Sequence, residues 1–87
     1  MQYEKGMVVK SVAGHDKGSF YVITQAAGEL VYIADGKLRK LEKPKRKSAK
    51  HINATKTIID FEGKSNKWLY DQLKTFNEPL LKSQGGN

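Results

Sequence analysis

Apolar and polar positions divide the chain into two unequal parts. Up to about residue 41 the apolar residues come in short β-branched or aromatic runs: Met7-Val8-Val9-Lys10-Ser11-Val12, Phe20-Tyr21-Val22-Ile23-Thr24 and Leu30-Val31-Tyr32-Ile33-Ala34. Such runs fit a pleated, half-buried surface and predict three strands. Glycine-containing connectors, residues 13–18 and 26–29, separate them. Asp35-Gly36 supplies the left-handed positions of a two-residue hairpin, which predicts residues 37–41 as a fourth strand. Leu38 and Leu41 break strict alternation there, so a bulge or an end near Lys40 is expected. Residues 42–50 hold Pro44 and the densest charge and are expected as an extended loop. Residues 50–54 are expected as a short fifth strand. Five short strands with tight turns predict a mainly β fold, a small antiparallel barrel that closes to hide its edges.

After Thr57 the period changes. Leu69, Leu73 and Phe76, with Trp68 beside them, give one apolar stripe at helical spacing over residues 66–76. Ser65 or Asn66 can serve as the N-cap, and Pro79 is expected to end the helix. A helix this short is marginal alone and must pack on the barrel. The organisation expected is therefore a barrel over residues 1–57 that includes the basic loop 42–50, a helical extension over 58–82 packed on it, and a disordered tail over 83–87.

The chain has 87 residues, no cysteine and a formal net charge of +7. That length fits one domain and a small core, with no disulfide or cysteine-based zinc site. No apolar run is long enough to span a membrane, and the first residues lack the apolar stretch of a signal peptide. A soluble cytoplasmic protein is expected. The charge is concentrated: Lys37, Arg39, Lys40, Lys43, Lys45, Arg46, Lys47 and Lys50 face only Glu42, while the remainder of the chain is balanced. Dense cationic stretches attract polyanions through counterion release. Nucleic acid is favoured over an anionic membrane surface, and a run of charge that merely keeps the protein soluble is the plain alternative.

The most informative segment is Gly14-His15-Asp16-Lys17-Gly18, set between the first two strands. Its two glycines let the backbone turn sharply and approach another chain closely. Loop amides can donate to phosphate oxygens while Lys17 supplies charge, and Asp16 is expected to lock the turn onto its own backbone. An ordinary β-turn with incidental charge is the plain alternative. Catalysis is not expected. His15 and His51 are the only histidines, and neighbouring His15-Asp16 does not orient a carboxylate toward an imidazole. Asp60 and Glu62 alternate without a histidine or phosphate loop beside them, residues 14–18 lack the Gly-Lys-Ser/Thr ending of a P-loop, and no metal-ligand set is apparent. No cofactor and no small-molecule substrate are expected.

The stretch Gly6-Met7-Val8-Val9-Lys10-Ser11-Val12-Ala13-Gly14-His15-Asp16-Lys17-Gly18 resembles the KOW motif, a strand–loop–strand unit of RNA-binding ribosomal proteins and transcription elongation factors. The continuation Ile33-Ala34-Asp35-Gly36-Lys37-Leu38-Arg39-Lys40-Leu41-Glu42-Lys43-Pro44-Lys45-Arg46-Lys47, then Lys50-His51-Ile52, is similar to small stand-alone bacterial KOW proteins related to large-subunit ribosomal proteins of archaea and eukaryotes. The resemblance covers roughly residues 6–55 and, more weakly, the helix. It implies an SH3-like barrel with one C-terminal helix, RNA contact through Gly14, His15, Asp16, Lys17 and Gly18, and a second contact surface from Lys37, Arg39, Lys40, Lys43, Lys45, Arg46, Lys47 and Lys50. Many KOW motifs carry glycine where this chain has Tyr21. The transcription-factor relatives carry a domain ahead of the unit, and only five residues precede Gly6 here, so a ribosome- or rRNA-associated role in translation is expected instead.

Arg39 and Arg46 can bridge phosphates bidentately, with the lysines as mobile point charges. His15 either stacks on a base or is an exposed histidine without a task. Tyr21 and Tyr32 either pack in the barrel or offer stacking platforms, packing being the commoner fate. An SH3-like protein-interaction module is the alternative function. One exposed patch of Tyr3, Tyr21, Tyr32 and Tyr70 would favour it. Membrane attachment by the basic run ranks last, because no lipid anchor or basic amphipathic helix accompanies it.

Overall fold

The β-branched runs form strands whose residues are buried on alternating faces, and both faces are covered. The structure, a computed structural model, describes residues 3–77. Strands β1 (Met7–Ser11), β2 (Phe20–Ala27), β3 (Leu30–Ala34), β4 (Lys45–Ser48) and β5 (Ile52–Ile58) form one antiparallel sheet in the order β4-β3-β2-β1-β5. A 3-10 turn, Ala49–His51, joins β4 to β5, and helix α1 (Asn66–Asn77) follows.

This topology forces the sheet to curl. β4 and β5 are its two edges, yet only three residues connect them. In a flat sheet those edges would stand roughly 19 Å apart, further than such a link can reach. β2 supplies the bend. Its first residues pair with β1 (Val9↔Tyr21, Lys10↔Phe20) and its last with β3 (Ala26↔Val31, Ala27↔Leu30). The register shifts between Ile23 and Gln25, where the Thr24 hydroxyl donates to the Tyr32 carbonyl at 3.2 Å. The Val12 amide donates to the His51 carbonyl at 2.9 Å, tying β1 to the 3-10 turn. The result is a small SH3-like barrel carrying one helix.

Inside the barrel lie Val9, Tyr21, Ile23, Val31, Ile33 and Ile52, with Tyr3 and Met7 packed against them. Outside it, Val8, Val22 and Ala34 meet Leu69 and Leu73 of α1, flanked by Phe20, Trp68 and Phe76. The Phe20 and Phe76 ring centroids are 5.4 Å apart. Ser65 is the N-cap, its hydroxyl accepting from the Trp68 amide at 3.0 Å. Pro79 and residues 78–87 lie outside the described residues.

Three expectations need correction. Residues 37–41 are not a strand. The Asp35 carboxylate accepts from the amides of Lys37 (2.9 Å) and Arg39 (2.8 Å), while the amides of Asp35 and Gly36 both donate to the Arg39 carbonyl. The chain closes on itself as a tight loop instead of pairing back. The fourth strand lies instead within the basic segment that reads as a loop: Tyr32↔Arg46 and Val31↔Lys47 are in register. An extended strand spaces like charges and turns alternate side chains to opposite faces, which offsets their repulsion. β5 is also longer than expected and starts at Ile52, with Lys50 and His51 in the 3-10 turn.

Gly36 holds the loop of residues 35–44 against α1. Its φ is +82°, and a Cβ there would stand 2.1 Å from the Asn66 carbonyl oxygen. Asn66 fastens the far side of that loop, accepting from the Leu41 amide at 2.7 Å and donating to Glu42 at 2.9 Å. Gly36→Ala is therefore expected to cost about 2–3 kcal/mol, from backbone strain plus the clash, read as a lower urea midpoint with an unchanged m-value. A midpoint equal to wild type would contradict the close packing of loop and helix.

Candidate functional site

The turn between β1 and β2 is built by backbone bonds within residues 11–19. The Lys17 amide donates to the Gly14 carbonyl, the Gly18 amide to Ser11 and the Ser19 amide to Asp16, at 2.8–3.2 Å. Gly14 and Gly18 have φ of +86° and +93°, values that the reversal of the chain requires. Gly14, His15, Lys17 and Gly18 are exposed. Among the described residues, the amides of His15 and Asp16 have no hydrogen-bond acceptor.

Asp16 does not cap its own turn. Its carboxylate reaches across the barrel mouth to β4. Oδ1 accepts from Lys47 Nζ at 2.7 Å and from the Ser11 hydroxyl at 2.8 Å, and Oδ2 accepts from Lys45 Nζ at 3.3 Å. Lys47 Nζ also donates to the Ala13 carbonyl at 2.9 Å. Lys45 and Lys47 stand opposite Ile33 and Val31, both core residues, so they lie on the inward face of β4. The ion pair thus fills a place where a barrel ordinarily carries apolar side chains. Lys47 is only 8% exposed. Burial alone would raise the Asp16 carboxyl, but hydrogen bonds from Lys47 and Ser11, the Lys47 charge and the bond from Lys45 outweigh it and bring it down to about 2.

Alternation then sorts the predicted cations. Lys45 is half-buried and lines a groove of about 420 Å³ together with His15, Asp16, Tyr21, Leu38 and Arg39. Lys17, Gly18 and Lys37 line an adjoining groove of about 510 Å³, which reaches Tyr70 and Lys74 of α1. Lys40 and Lys43 line a third, of about 430 Å³, on the far side of Leu38. Leu38, 79% exposed, is the ridge common to all three. Arg46 is exposed and lies on the opposite face of β4, beside Tyr32. Lys50 is exposed in the 3-10 turn, whose Ala49 amide is bonded to Glu29 at the β2–β3 turn. The structure therefore gathers Gly14, His15, Asp16, Lys17 and Gly18 with Lys37, Arg39 and Lys45. It places Lys40 and Lys43 beside them, uses Lys47 internally, and sets Arg46 and Lys50 apart.

Tyr21, 3% exposed, forms the floor of the first groove. Burial, reinforced by the charges of Asp16 and Asp35, pushes its hydroxyl up to about 12, so it stays protonated throughout the neutral range. Lys74 and Tyr70 are groove residues that the sequence reading missed. Their signal was the helical face carrying residues 70, 74 and 77, which flanks the apolar stripe. Among the described residues no three His, Asp or Glu side chains cluster as metal ligands would, and no helix is long and apolar enough to cross a membrane. The chain matches no family model, and no curated protein sequence matches it.

The depressed Asp16 carboxyl makes stability depend on acid. A folded pKa below the unfolded value near 3.8 contributes stability that is present above pH 4 and lost as pH falls from about 4 to about 2. After allowance for solvent screening, the loss is on the order of 1–2 kcal/mol. Lys47→Ala leaves Asp16 without its nearest cation. It is expected to cost about 2–3 kcal/mol at pH 7 and to flatten that acid limb. Urea melts from pH 7 to pH 2 on wild type and variant test this, and parallel pH curves would contradict it.

Proposed function

We propose that this chain is an RNA-binding module of the KOW type that grips the phosphate backbone and acts as a binding protein, not an enzyme. The observation that carries this reading is the meeting of an exposed glycine-hinged turn with Arg39 and Lys45 in one groove, with Lys17 and Lys37 in the next. The charge logic supports it. Asp16, the acid within the turn, is neutralised internally by Lys47, so the groove offers a surplus of cations to an anionic chain. Arg39 is exposed and can take a phosphate bidentately. The amides of His15 and Asp16, without acceptors among the described residues, are suited to phosphate oxygens. With more cations and backbone donors than base-reading groups, recognition rests on shape and phosphate position, and structured RNA such as rRNA is the partner class.

The tyrosines favour this reading over a peptide-binding groove. Tyr21 is buried, and the Tyr3 hydroxyl donates to the Ile52 carbonyl at 3.1 Å as its ring packs on the barrel core. Tyr32 stands opposite Arg46 on the outward face of the sheet and Tyr70 lines the adjoining groove, so the four do not form one exposed patch.

Lys17, Lys37, Arg39, Lys40, Lys43 and Lys45 are the cations available to phosphate. If all six engage a duplex, log K is expected to fall with log salt at a slope of about −5. Lys37→Ala with Arg39→Ala should weaken binding to a structured RNA at least tenfold and reduce the slope by about 2. Arg46→Ala with Lys50→Ala should change both less. A shallow wild-type slope, or an equal effect from the two pairs, would overturn the assignment.

A further inference from the structure

The groove against α1 has features that phosphate binding by the β1–β2 turn does not use. It adjoins the first groove, sharing Ser19 and Leu38 with it, and its volume of about 510 Å³ lies in the range that holds a small organic ligand. Lys17, Lys37 and Lys74 line it. Tyr70, half-buried, contributes an aromatic ring, and Lys37 Nζ and Lys74 Nζ each stand 5.2 Å from its centroid. The ring face is thus occupied by two mobile ammonium groups and not by packed apolar side chains.

The acids nearby are already engaged. Asp35 Oδ1 already accepts the amides of Lys37 and Arg39. Asp71 is shared between Lys67 at 3.1 Å and Lys74 at 3.5 Å, both half-exposed or exposed pairs that phosphate can displace. Asn77 is held by the Phe20 amide and the Leu73 carbonyl, which fixes the floor of the groove. A concave site with cations around an aromatic ring suits a splayed nucleotide. A duplex keeps its bases stacked and cannot present one, whereas single strands can.

We infer that this groove is a second RNA subsite, taking one unstacked nucleotide of a single strand that continues from the first groove, with its base on Tyr70 and its phosphates among Lys17, Lys37 and Lys74. The inference rests on the RNA-binding reading above and extends it to the helix. It assigns to α1 a binding face beside its packing face.

The test compares one hairpin RNA, blunt, with the same hairpin carrying short single-stranded uridine tails, by fluorescence anisotropy at fixed salt. Wild type is expected to bind the tailed hairpin about tenfold more tightly. Tyr70→Ala should abolish that preference while leaving the blunt hairpin within about twofold. Tyr70→Phe should keep it, since stacking needs the ring and not the hydroxyl. Lys74→Gln, an exposed change, should reduce the preference and lower the salt slope by about 0.7 for the tailed RNA alone. Blunt-hairpin binding without any tail preference, or a preference that survives both Tyr70→Ala and Lys74→Gln, would overturn the subsite and leave the phosphate reading standing. Absence of salt-dependent binding to either hairpin would overturn both.

Discussion

One carboxylate holds the turn between the first two strands to the opposite side of the barrel. Asp16 stands on the turn between β1 and β2, and Lys47 lies on β4, an edge strand of the sheet. They meet because the sheet curls. With Lys45 and Lys47 facing inward among Val31 and Ile33, the barrel would otherwise enclose unpaired charge. The cost of enclosing an unpaired ammonium is several kcal/mol, so partner and strand are interdependent. The same bond fixes the position of residues 14–18 relative to the neighbouring cations. A feature of the core thereby sets the geometry of the surface. The net charge of the Asp16, Lys45 and Lys47 cluster is positive, and Lys45, the more exposed of the two lysines, carries the surplus into the groove.

The second constraint is burial on both faces of the sheet. Val8 and Val9 point to different cores, as do Tyr21 and Val22. The barrel interior takes one set, and α1 covers the other. That is why a domain this small can sustain a strongly cationic surface: apolar burial by the helix offsets charge repulsion elsewhere. Docking of α1 against Gly36 also props up the loop of residues 35–44, which then walls the grooves through Leu38 and Arg39. The helix acts as a buttress for the loop and, together with it, walls the groove that holds Tyr70.

Much of this was legible in the chain, and the exceptions share a cause. β1, β2 and β3 are announced by β-branched runs whose burial needs no distant partner, and α1 by Leu69, Leu73 and Phe76 at helical spacing. β4 was not legible. Its inward positions are lysines, and the acid that makes them tolerable is Asp16, some thirty residues earlier. Asp35-Gly36 reads locally as a hairpin, but the left-handed glycine is needed for close approach to Asn66, a contact that no local pattern reveals. At the site, the turn and the abundance of cations could be read directly. Which cations share a face could not, because a loop has no alternation to apply. Once residues 45–48 are a strand, Arg46 parts from Lys45 and Lys47 on geometric grounds alone.

If the turn of residues 14–18 and the cations beside it form one surface for ribose-phosphate chains, those residues must respond to RNA as a group. Titrating a structured RNA into isotopically labelled protein, with backbone amide shifts followed residue by residue, tests it most directly. His15, Asp16, Lys17, Gly18, Arg39 and Lys45 are expected to shift together at low RNA, while Gly28 and Glu29 at the β2–β3 turn stay unmoved. Shifts centred on Arg46, Lys50 and the β2–β3 turn, with the glycine-hinged turn silent, would contradict it.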